Sequence, residues 1–243
     1  MPEWIGATLA GLLAGGALLA GAIIALLGQV PTRVVAAIMA LGSGTLISAL
    51  AFDLVLEAQR EGGIVPTVLG FAVGAIVYVA ANQLLDRFDQ RHPRGTSEYP
   101  GTGAGIALGA LLDGIPESAV LGLSMVGGGG VSMPVLIAIV ISNVPEGLSS
   151  TAELRRSGRS SGFVISLWVG IALACALASL LGYVLLDTAS GEVTAFITAI
   201  AAGAILAMIC DTMIPEAFRS AHALTGLLVT AGFLLGYTVH VLG

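Results

Sequence analysis

Seven carboxylates lie inside or at the ends of long apolar stretches of this 243-residue sequence. They are Asp53, Glu57, Asp113, Glu117, Glu146, Asp211 and Glu216. A charged carboxylate at the centre of a membrane helix costs roughly 2.5–3.5 kcal/mol on insertion scales, so each needs a compensating partner. An arginine follows Glu57 and Glu216 three positions later and could form a salt bridge with either. The stretches around Asp113, Glu117 and Glu146 hold no basic residue, so their positive charge is expected to come from solution, as a proton or a metal ion.

The spacing of the central residues favours a metal ion over a proton. Asp113 and Glu117 are four residues apart, so both carboxylates lie on one face of a helix. Ser142 and Glu146 repeat this spacing in the next apolar stretch, with Asn143 beside the serine. A short glycine-rich turn joins the two stretches, which must therefore pack antiparallel. The two faces together predict a site of carboxylate, amide and hydroxyl oxygens.

Two prolines add further oxygen ligands to this prediction. Pro116 and Pro145 directly precede the two glutamates, and each removes a backbone N–H donor from its helix. The carbonyls of Leu112 and Ile141 are thereby left free, and free carbonyls at membrane depth are good cation ligands. The expected site contains no histidine and no cysteine.

The acids are expected to form a column across the membrane. The first pair, Asp53 and Glu57, falls near one mouth, and the central group lies near the middle. The last pair, Asp211 and Glu216, falls near the other mouth. Acids at entry, centre and exit are what the passage of a cation needs. We therefore predict metal-binding roles for Asp113, Glu117, Asn143, Glu146, Ser142, Asp53, Glu57, Asp211 and Glu216.

The elements that position these residues are membrane helices. Hydrophobic residues make up 56% of the chain and charged residues 10%, with a mean hydropathy of +0.99, a balance that no soluble domain of this length can carry. Because a spanning helix needs roughly 20 apolar residues, we expect one transmembrane domain, 1–243, with eight spans. Their expected bounds are about 4–27, 33–58, 64–86, 103–126, 131–154, 160–187, 192–217 and 221–242.

The arginines predict the orientation in a cell membrane. If the N-terminus is extracytoplasmic, only Arg60 falls in an outer loop and the other arginines are cytoplasmic. An even number of spans then leaves both termini extracytoplasmic. The polar loop from Arg87 to Pro100, which contains His92, separates three spans from five. The cytoplasmic arginines are Arg33, Arg87, Arg91, Arg94, Arg155, Arg156, Arg159 and Arg219.

An internal repeat links the second and seventh predicted spans. Gly44, Glu57, Ala58 and Arg60 align without gaps with Gly203, Glu216, Ala217 and Arg219. Between them, the aspartates Asp53 and Asp211 are displaced by one position. The two segments cross the membrane in opposite directions, which is typical of the inverted repeats from which transporters are built.

The two proline–glutamate segments resemble the paired motifs of the ZIP family of metal transporters, in a divergent bacterial form. They run Asp113-Gly-Ile-Pro-Glu-Ser and Ser142-Asn-Val-Pro-Glu-Gly. The resemblance implies an all-α integral membrane bundle of eight helices, with 3+2+3 organisation and an inverted repeat of helices 1–3 and 6–8. It also implies a metal site between helices 4 and 5, uptake of zinc, iron or manganese toward the cytosol, and one group of helices sliding against another.

The chain departs from this family at the motif histidines. The family usually has His-Asn where this chain has Asp113 and Gly114, and often His or Gln where it has Ser142. We do not carry over the zinc preference, because these histidines are the borderline ligands that suit zinc. An all-oxygen site predicts that Mn²⁺ competes unusually well against Zn²⁺.

Other functions fit the same residues. The acids could serve a proton-coupled carrier of another solute, or the chain could be a metal-binding homologue that transports nothing. An intramembrane hydrolase fits poorly, because no His-Glu-x-x-His motif occurs, and we expect no enzymatic activity. The expected partners are the metal ion as substrate, the lipid bilayer and a possible second copy of the chain, with no cofactor and no nucleic acid.

Overall fold

A computed structural model of the chain describes residues 2–91, 103–128 and 130–242, with the side chains of 88–91, 103 and 104 excepted. These residues form helices and turns, with no strand among them. The α-helices are α1 (Glu3–Leu27), α2 (Thr32–Ala49), α3 (Leu56–Gly62), α4 (Ile64–Arg91), α5 (Gly103–Leu123), α6 (Met133–Arg156), α7 (Ser161–Leu186), α8 (Gly191–Met208), α9 (Ile214–Ala221) and α10 (Thr225–Leu242).

Seven stretches of the described residues are long and apolar enough to cross a membrane. They are Glu3–Leu27, Thr32–Gly62, Ile64–Arg87, Gly105–Leu123, Met133–Arg156, Ser161–Leu186 and Gly191–Leu242. The predicted all-helical membrane protein is thus confirmed, whereas the count of eight and the 3+2+3 layout stay predictions. The last stretch has 52 residues, and its chain turns at His222, where φ is 47°. A positive φ at a residue other than glycine is uncommon and marks a sharp change of direction.

Two π turns interrupt the second and the last of these stretches. The first π turn is Leu50–Val55 and contains Asp53, and the second is Ile209–Met213 and contains Asp211. A π turn takes one residue more than an α turn, and such turns are frequent at functional sites. The aspartates that the repeat matches with a one-residue offset therefore lie in the same kind of local structure.

Glycines bring α2 against α10 with their backbones in contact. A Cβ built on Gly232 would clash with the carbonyl oxygen of Leu41. Further along both helices, His240 lies 2.8 Å from Asp53. Residue numbers rise together along the contact, so α2 and α10 run parallel.

The pair α4 and α8 packs in the same way. A Cβ on Gly70 would clash with the carbonyl oxygen of Phe196, and one on Gly74 with that of Ile200. These helices also run parallel. We name α2, α4, α8 and α10 the first helix group.

The remaining long helices form a second helix group, α1, α5, α6 and α7. Helix α1 meets α6 through Gly147, whose Cβ would clash with the carbonyl oxygen of Leu18. It meets α7 through Gly15, whose Cβ would lie 2.5 Å from the Cα of Ala172. A second core, around Trp168 and Leu154, lies within this group. Each group is therefore held together by backbone contact.

Apolar side chains fill most of the space between the two groups. The main core joins Met39 and Leu46 of α2, Val120 of α5, Ile139 of α6 and Met208 of α8. Among the described glycines, the closest backbone approach between the groups is at Gly42, whose Cβ would lie 2.9 Å from the Cα of Ser142. Apolar side chains thus make most of the contact between the groups, and one close backbone contact joins α2 to α6.

Candidate functional site

The centre of the molecule holds a buried carboxylate. Glu117 lies on α5, one residue after Pro116, and is 1% exposed. Neither of its oxygens has a hydrogen-bond partner of normal distance and angle, although the Asn143 side chain lies close enough to interact with the carboxylate. A buried unpaired carboxylate costs several kcal/mol unless it gains a proton or a cation. Glu117 is therefore the residue at which the site most needs a positive charge.

Asp113 lies one turn before Glu117 and accepts a hydrogen bond from Tyr78. The distance from the tyrosine Oη to Asp113 Oδ1 is 2.7 Å. Tyr78 belongs to α4 and is 2% exposed, so the first helix group supplies a partner for an acid of the second. Sequence reasoning missed this residue, although a tyrosine within an apolar span is itself a signal, because a buried hydroxyl needs a partner.

The polar residues of α6 are oriented by backbone carbonyls. Asn143 donates from Nδ2 to the carbonyl oxygen of Ala14 at 2.9 Å, and Ser142 donates to the carbonyl oxygen of Ile139 at 2.9 Å. This bond uses one of the two N–H donors of the Asn143 amide, the same side chain interacts with Glu117, and its amide oxygen lies 3.3 Å from the Ser142 hydroxyl. The predicted amide and hydroxyl oxygens are thus present and held in place.

Glu146 and Glu216 complete the central group. Glu146 interacts electrostatically with Asp113, Glu117 and Glu216, and Asp113 also interacts with Glu216. Glu216 accepts a hydrogen bond from Ser149 of α6. Glu216, from the segment that the sequence places toward the inner mouth, is exposed, so it lies at the edge of the central acids.

The salt bridges of the described residues leave this group uncompensated. Arg60 pairs with Glu57 at 3.7 Å, as the sequence suggests, and His240 pairs with Asp53. In the described part of the chain no such bridge reaches the central carboxylates.

The described side chains do not form a preassembled metal shell. No group of three or more His, Cys, Asp and Glu residues among them is arranged to hold a metal ion. Binding of a cation at the centre therefore requires the carboxylates to rotate toward a common point, or oxygens from amides, hydroxyls and carbonyls to complete the shell.

A second acidic region lines a cavity of about 440 Å³ beside the first π turn. We call it the acidic cavity. Its polar lining includes Asp53, Glu57, Glu61, Ser124 and His240. Sequence reasoning placed Asp53 and Glu57 at a mouth but missed Glu61, and it placed His240 nowhere in the site.

Within the acidic cavity, Asp53 is held by a histidine. Asp53 Oδ1 lies 2.8 Å from Nδ1 of His240, while its Oδ2 is buried without a partner. The His240 ring stacks on Phe52, with 5.5 Å between ring centroids. Asp211, the matching aspartate of the second π turn, is exposed.

Part of the predicted polar loop falls on residues that the structure does not describe. His92 and Arg94 lie outside the described residues, as does the side chain of Arg91. The arginine asymmetry and the orientation that it implies stay predictions.

The fold and the site together define a multi-pass helical membrane protein with an acidic interior. No family model matches the chain. It is similar to an Arabidopsis thaliana protein that bears the name "Putative zinc transporter", with 27% identity over 184 residues. The match covers 74% of this chain and 29% of the plant protein, so the chain spans less than a third of its relative's length.

Proposed function

We propose that this protein transports divalent metal cations, of the zinc, iron or manganese class, across the cell membrane by a ZIP-type mechanism. The observation that carries the proposal is Glu117, a fully buried carboxylate without a basic partner, whose oxygens make no hydrogen bond of normal distance and angle. It stands among other acids that no salt bridge of the described residues reaches. The named plant relative supports metal transport in general.

The proposed path uses three groups of acids in order. Asp53 and Glu57 gather the ion in the acidic cavity, with Glu61 and His240 beside them. Asp113, Glu117, Asn143 and Glu146 hold it at the centre, where Ser142 adds a hydroxyl. Asp211 and Glu216 release it toward the cytosol. The hydrogen bond from Ser149 of α6 to Glu216 places the exit acid beside the helix that carries Glu146.

We propose eight spans with both termini extracytoplasmic. Consecutive spans alternate in direction, so α4, which is the next span after the one that contains α2, runs opposite to it. Since α8 is parallel to α4 and α10 is parallel to α2, α8 and α10 are antiparallel to each other. The 52-residue stretch therefore crosses twice and reverses near His222. The two π turns support the inverted repeat of helices 1–3 and 6–8.

The two helix groups are the proposed moving parts. Backbone contact through glycines resists displacement within each group, because a shift of even a few tenths of an ångström creates clashes. Between the groups, most of the contact is made by apolar side chains, which change rotamer more easily than backbones can move, and the one close backbone approach is at Gly42. The central site lies across this boundary, since Tyr78 and Glu216 come from elements that pack with the first group and Glu117 from the second. A displacement of one group would change the surroundings of the bound ion.

Replacement of Glu117 and Glu146 by glutamine tests the proposal. Glutamine keeps the size of each side chain and removes the charge. We expect the double variant E117Q/E146Q, purified and reconstituted in vesicles, to lose Mn²⁺, Fe²⁺ and Zn²⁺ uptake. The matched control is Glu192→Gln, an exposed glutamate at the start of α8, which should retain it. Uptake by the double variant at the wild-type rate would refute the site.

A proton-coupled carrier of another solute is the second candidate. The hydrogen bond from Tyr78 to Asp113 and the lack of a three-ligand shell among the described residues favour it. A thermal-shift assay separates the two, because a ligand that binds only the folded state raises its melting temperature. A metal carrier is stabilised by micromolar Mn²⁺, Fe²⁺ or Zn²⁺. Stabilisation without uptake would instead indicate a metal-binding homologue that does not transport.

A further inference from the structure

Glycines place a histidine at the acidic cavity. Gly232, Gly236 and His240 follow one another at four-residue steps along α10, so they lie on one face of this helix. That face packs on α2, since a Cβ built on Gly236 would lie 2.8 Å from the Cβ of Ser48. The backbone contact therefore fixes where the imidazole of His240 meets Asp53, at 2.8 Å.

The hydrogen bond to Asp53 uses one ring nitrogen of His240 and leaves the other available. Because a carboxylate oxygen accepts, Nδ1 of His240 donates the proton and Nε2 keeps its lone pair. The ring also stacks on Phe52, whose own ring lies 5.3 Å from that of Tyr237. Histidines that bind metal are held in this way: one nitrogen donates to a carboxylate, which fixes the ring, and the other nitrogen binds the ion.

Within this pair, the imidazole is the accessible group. The side chain of His240 is 33% exposed, whereas that of Asp53 is 14% exposed. Oδ1 of Asp53 is used by the histidine, and Oδ2 is buried. An ion that enters the cavity therefore reaches the imidazole more readily than either oxygen of Asp53, which is placed to orient the ring.

The same cavity offers carboxylates and room for water. Glu57 and Glu61 follow Asp53 at steps of four residues, are exposed and line the cavity. The cavity volume of about 440 Å³ accommodates several waters beside an ion, since one water occupies about 30 Å³ in the liquid. An ion held by few protein ligands and by water can leave again, which a site on a transport path requires.

A nitrogen ligand changes the metal preference of such a site. Carboxylates, carbonyls and water suit Mn²⁺, whereas imidazole suits Zn²⁺. The predicted central ligands are all oxygen, so a preference for zinc at the cavity would be set by a residue that the central site does not contain.

We propose that the acidic cavity is a capture site for Zn²⁺, in which His240 binds the ion through Nε2 and Glu57 supplies a carboxylate. Asp53 is the positioning residue of this site and acts through His240. Glu57 exchanges its exposed pairing with Arg60, which contributes little to stability, for the ion. The inference rests on the proposed function and adds to it a nitrogen ligand that selects zinc before the ion reaches the centre.

X-ray absorption at the zinc edge gives a direct readout of the imidazole. Zinc-bound imidazole produces outer-shell scattering that carboxylates and water do not produce. The full chain, freed of any affinity tag, carries E117Q/E146Q to disable the central site and H92N, which leaves two of its three histidines. We expect imidazole scattering from Zn²⁺ bound to this parent protein and its loss on His240→Asn. Scattering that persists in the H240N protein, or a parent without it, would overturn the proposal.

His222→Asn is the matched control. At position 240 the asparagine amide nitrogen stands near the place of Nδ1 and can still donate to Asp53, while nothing replaces Nε2. At position 222, which is exposed and has a φ of 47°, asparagine tolerates the left-handed backbone. We expect H222N to keep the imidazole scattering. Its loss in both variants, at unchanged melting temperatures, would contradict the assignment to His240.

Asp53→Asn tests the positioning role. An amide that donates to Nδ1 moves the ring proton to Nε2 and blocks that nitrogen. In the same parent protein we expect the affinity for Zn²⁺ to fall about 10–100-fold, the range for lost outer-shell partners, and the affinity for Mn²⁺ to fall much less. Equal losses for the two metals would contradict a role that acts through the histidine.

Competition in vesicles, with the central site intact, tests selectivity. In H240N we expect Zn²⁺ to compete with Mn²⁺ uptake about tenfold less well, within the range for lost metal-site interactions. If wild type carries metal and H240N shows the same competition, the capture proposal fails and the transport proposal stands. If the parent binds zinc through His240 but wild type carries none of these metals, the proposed function fails while the metal site stands.

Discussion

The two π turns have the same local structure in different surroundings. In the first, Asp53 is half-buried, lies 2.8 Å from His240 and faces the acidic cavity. In the second, both Asp211 and the glutamate that follows it, Glu216, are exposed, and Glu216 accepts a hydrogen bond from Ser149 of α6. In the first π turn the aspartate is thus held by a histidine beside a cavity, whereas in the second π turn the aspartate is exposed.

This difference indicates how a repeated structure can give a path a direction. A carboxylate fixed by a histidine inside a cavity is suited to capturing an ion, since its geometry is set before the ion arrives. An exposed carboxylate offers only charge, which suits release. In the proposed path, the two π turns therefore have similar backbones, but the different surroundings of Asp53 and Asp211 suit them to different steps.

The largest expected effect comes from the glycines that the repeat matches. A Cβ on Gly44 would clash with the carbonyl oxygen of Val229, and one on Gly203 with that of Phe71. We expect Gly44→Ala and Gly203→Ala each to destabilise the protein by about 1–3 kcal/mol, the range for overpacking. The two losses should be similar if the halves are equivalent in backbone.

Thermal unfolding in detergent measures this effect. Gly16→Ala is the control, because a Cβ at Gly16 meets nothing within 4 Å. A melting temperature for G44A or G203A equal to that of G16A would contradict the close packing. A strong effect of only one of the two would show that the halves differ in backbone as well as in surroundings.

The second effect concerns the two aspartates. We expect Asp53→Asn to raise the KM for metal uptake about tenfold, because an entry carboxylate raises the local concentration of cations. Asp211→Asn should raise KM less and lower the maximal rate more, since its proposed role comes after binding. Initial rates of uptake over a range of metal concentrations separate the two parameters. The same change in KM and in rate for both variants would show that the comparison of the π turns has no functional meaning.

The sequence predicts the acids and their elements well, because both depend on local patterns. Spacing of four residues, proline before glutamate and apolar length are visible in single segments, and the structure places Asp113 and Glu117 on one helix with Asn143 and Glu146 on another.

The partners of these acids could not be predicted in the same way. Tyr78 reaches the central site and His240 reaches the acidic cavity from helices far away in the sequence, and the positions of these helices depend on glycine contacts that bring two backbones together. Apolar periodicity in a membrane helix does not say which face meets which neighbour, because lipid and protein interior are both apolar. The composition of the site, and thus its metal preference, therefore depends on tertiary packing.

The smallest expected effect tests whether the pair at the acidic cavity contributes to capture. Arg60 and Glu57 are 3.7 Å apart, and their side chains are 74% and 56% exposed. Exposed pairs of this kind contribute about 0–1 kcal/mol, so Arg60→Gln should leave the melting temperature nearly unchanged. Because it frees Glu57 and removes a positive charge from the cavity, the variant should lower the KM for uptake slightly at low ionic strength, and salt should abolish the difference. A rise in KM would mean instead that Arg60 positions Glu57 for the ion.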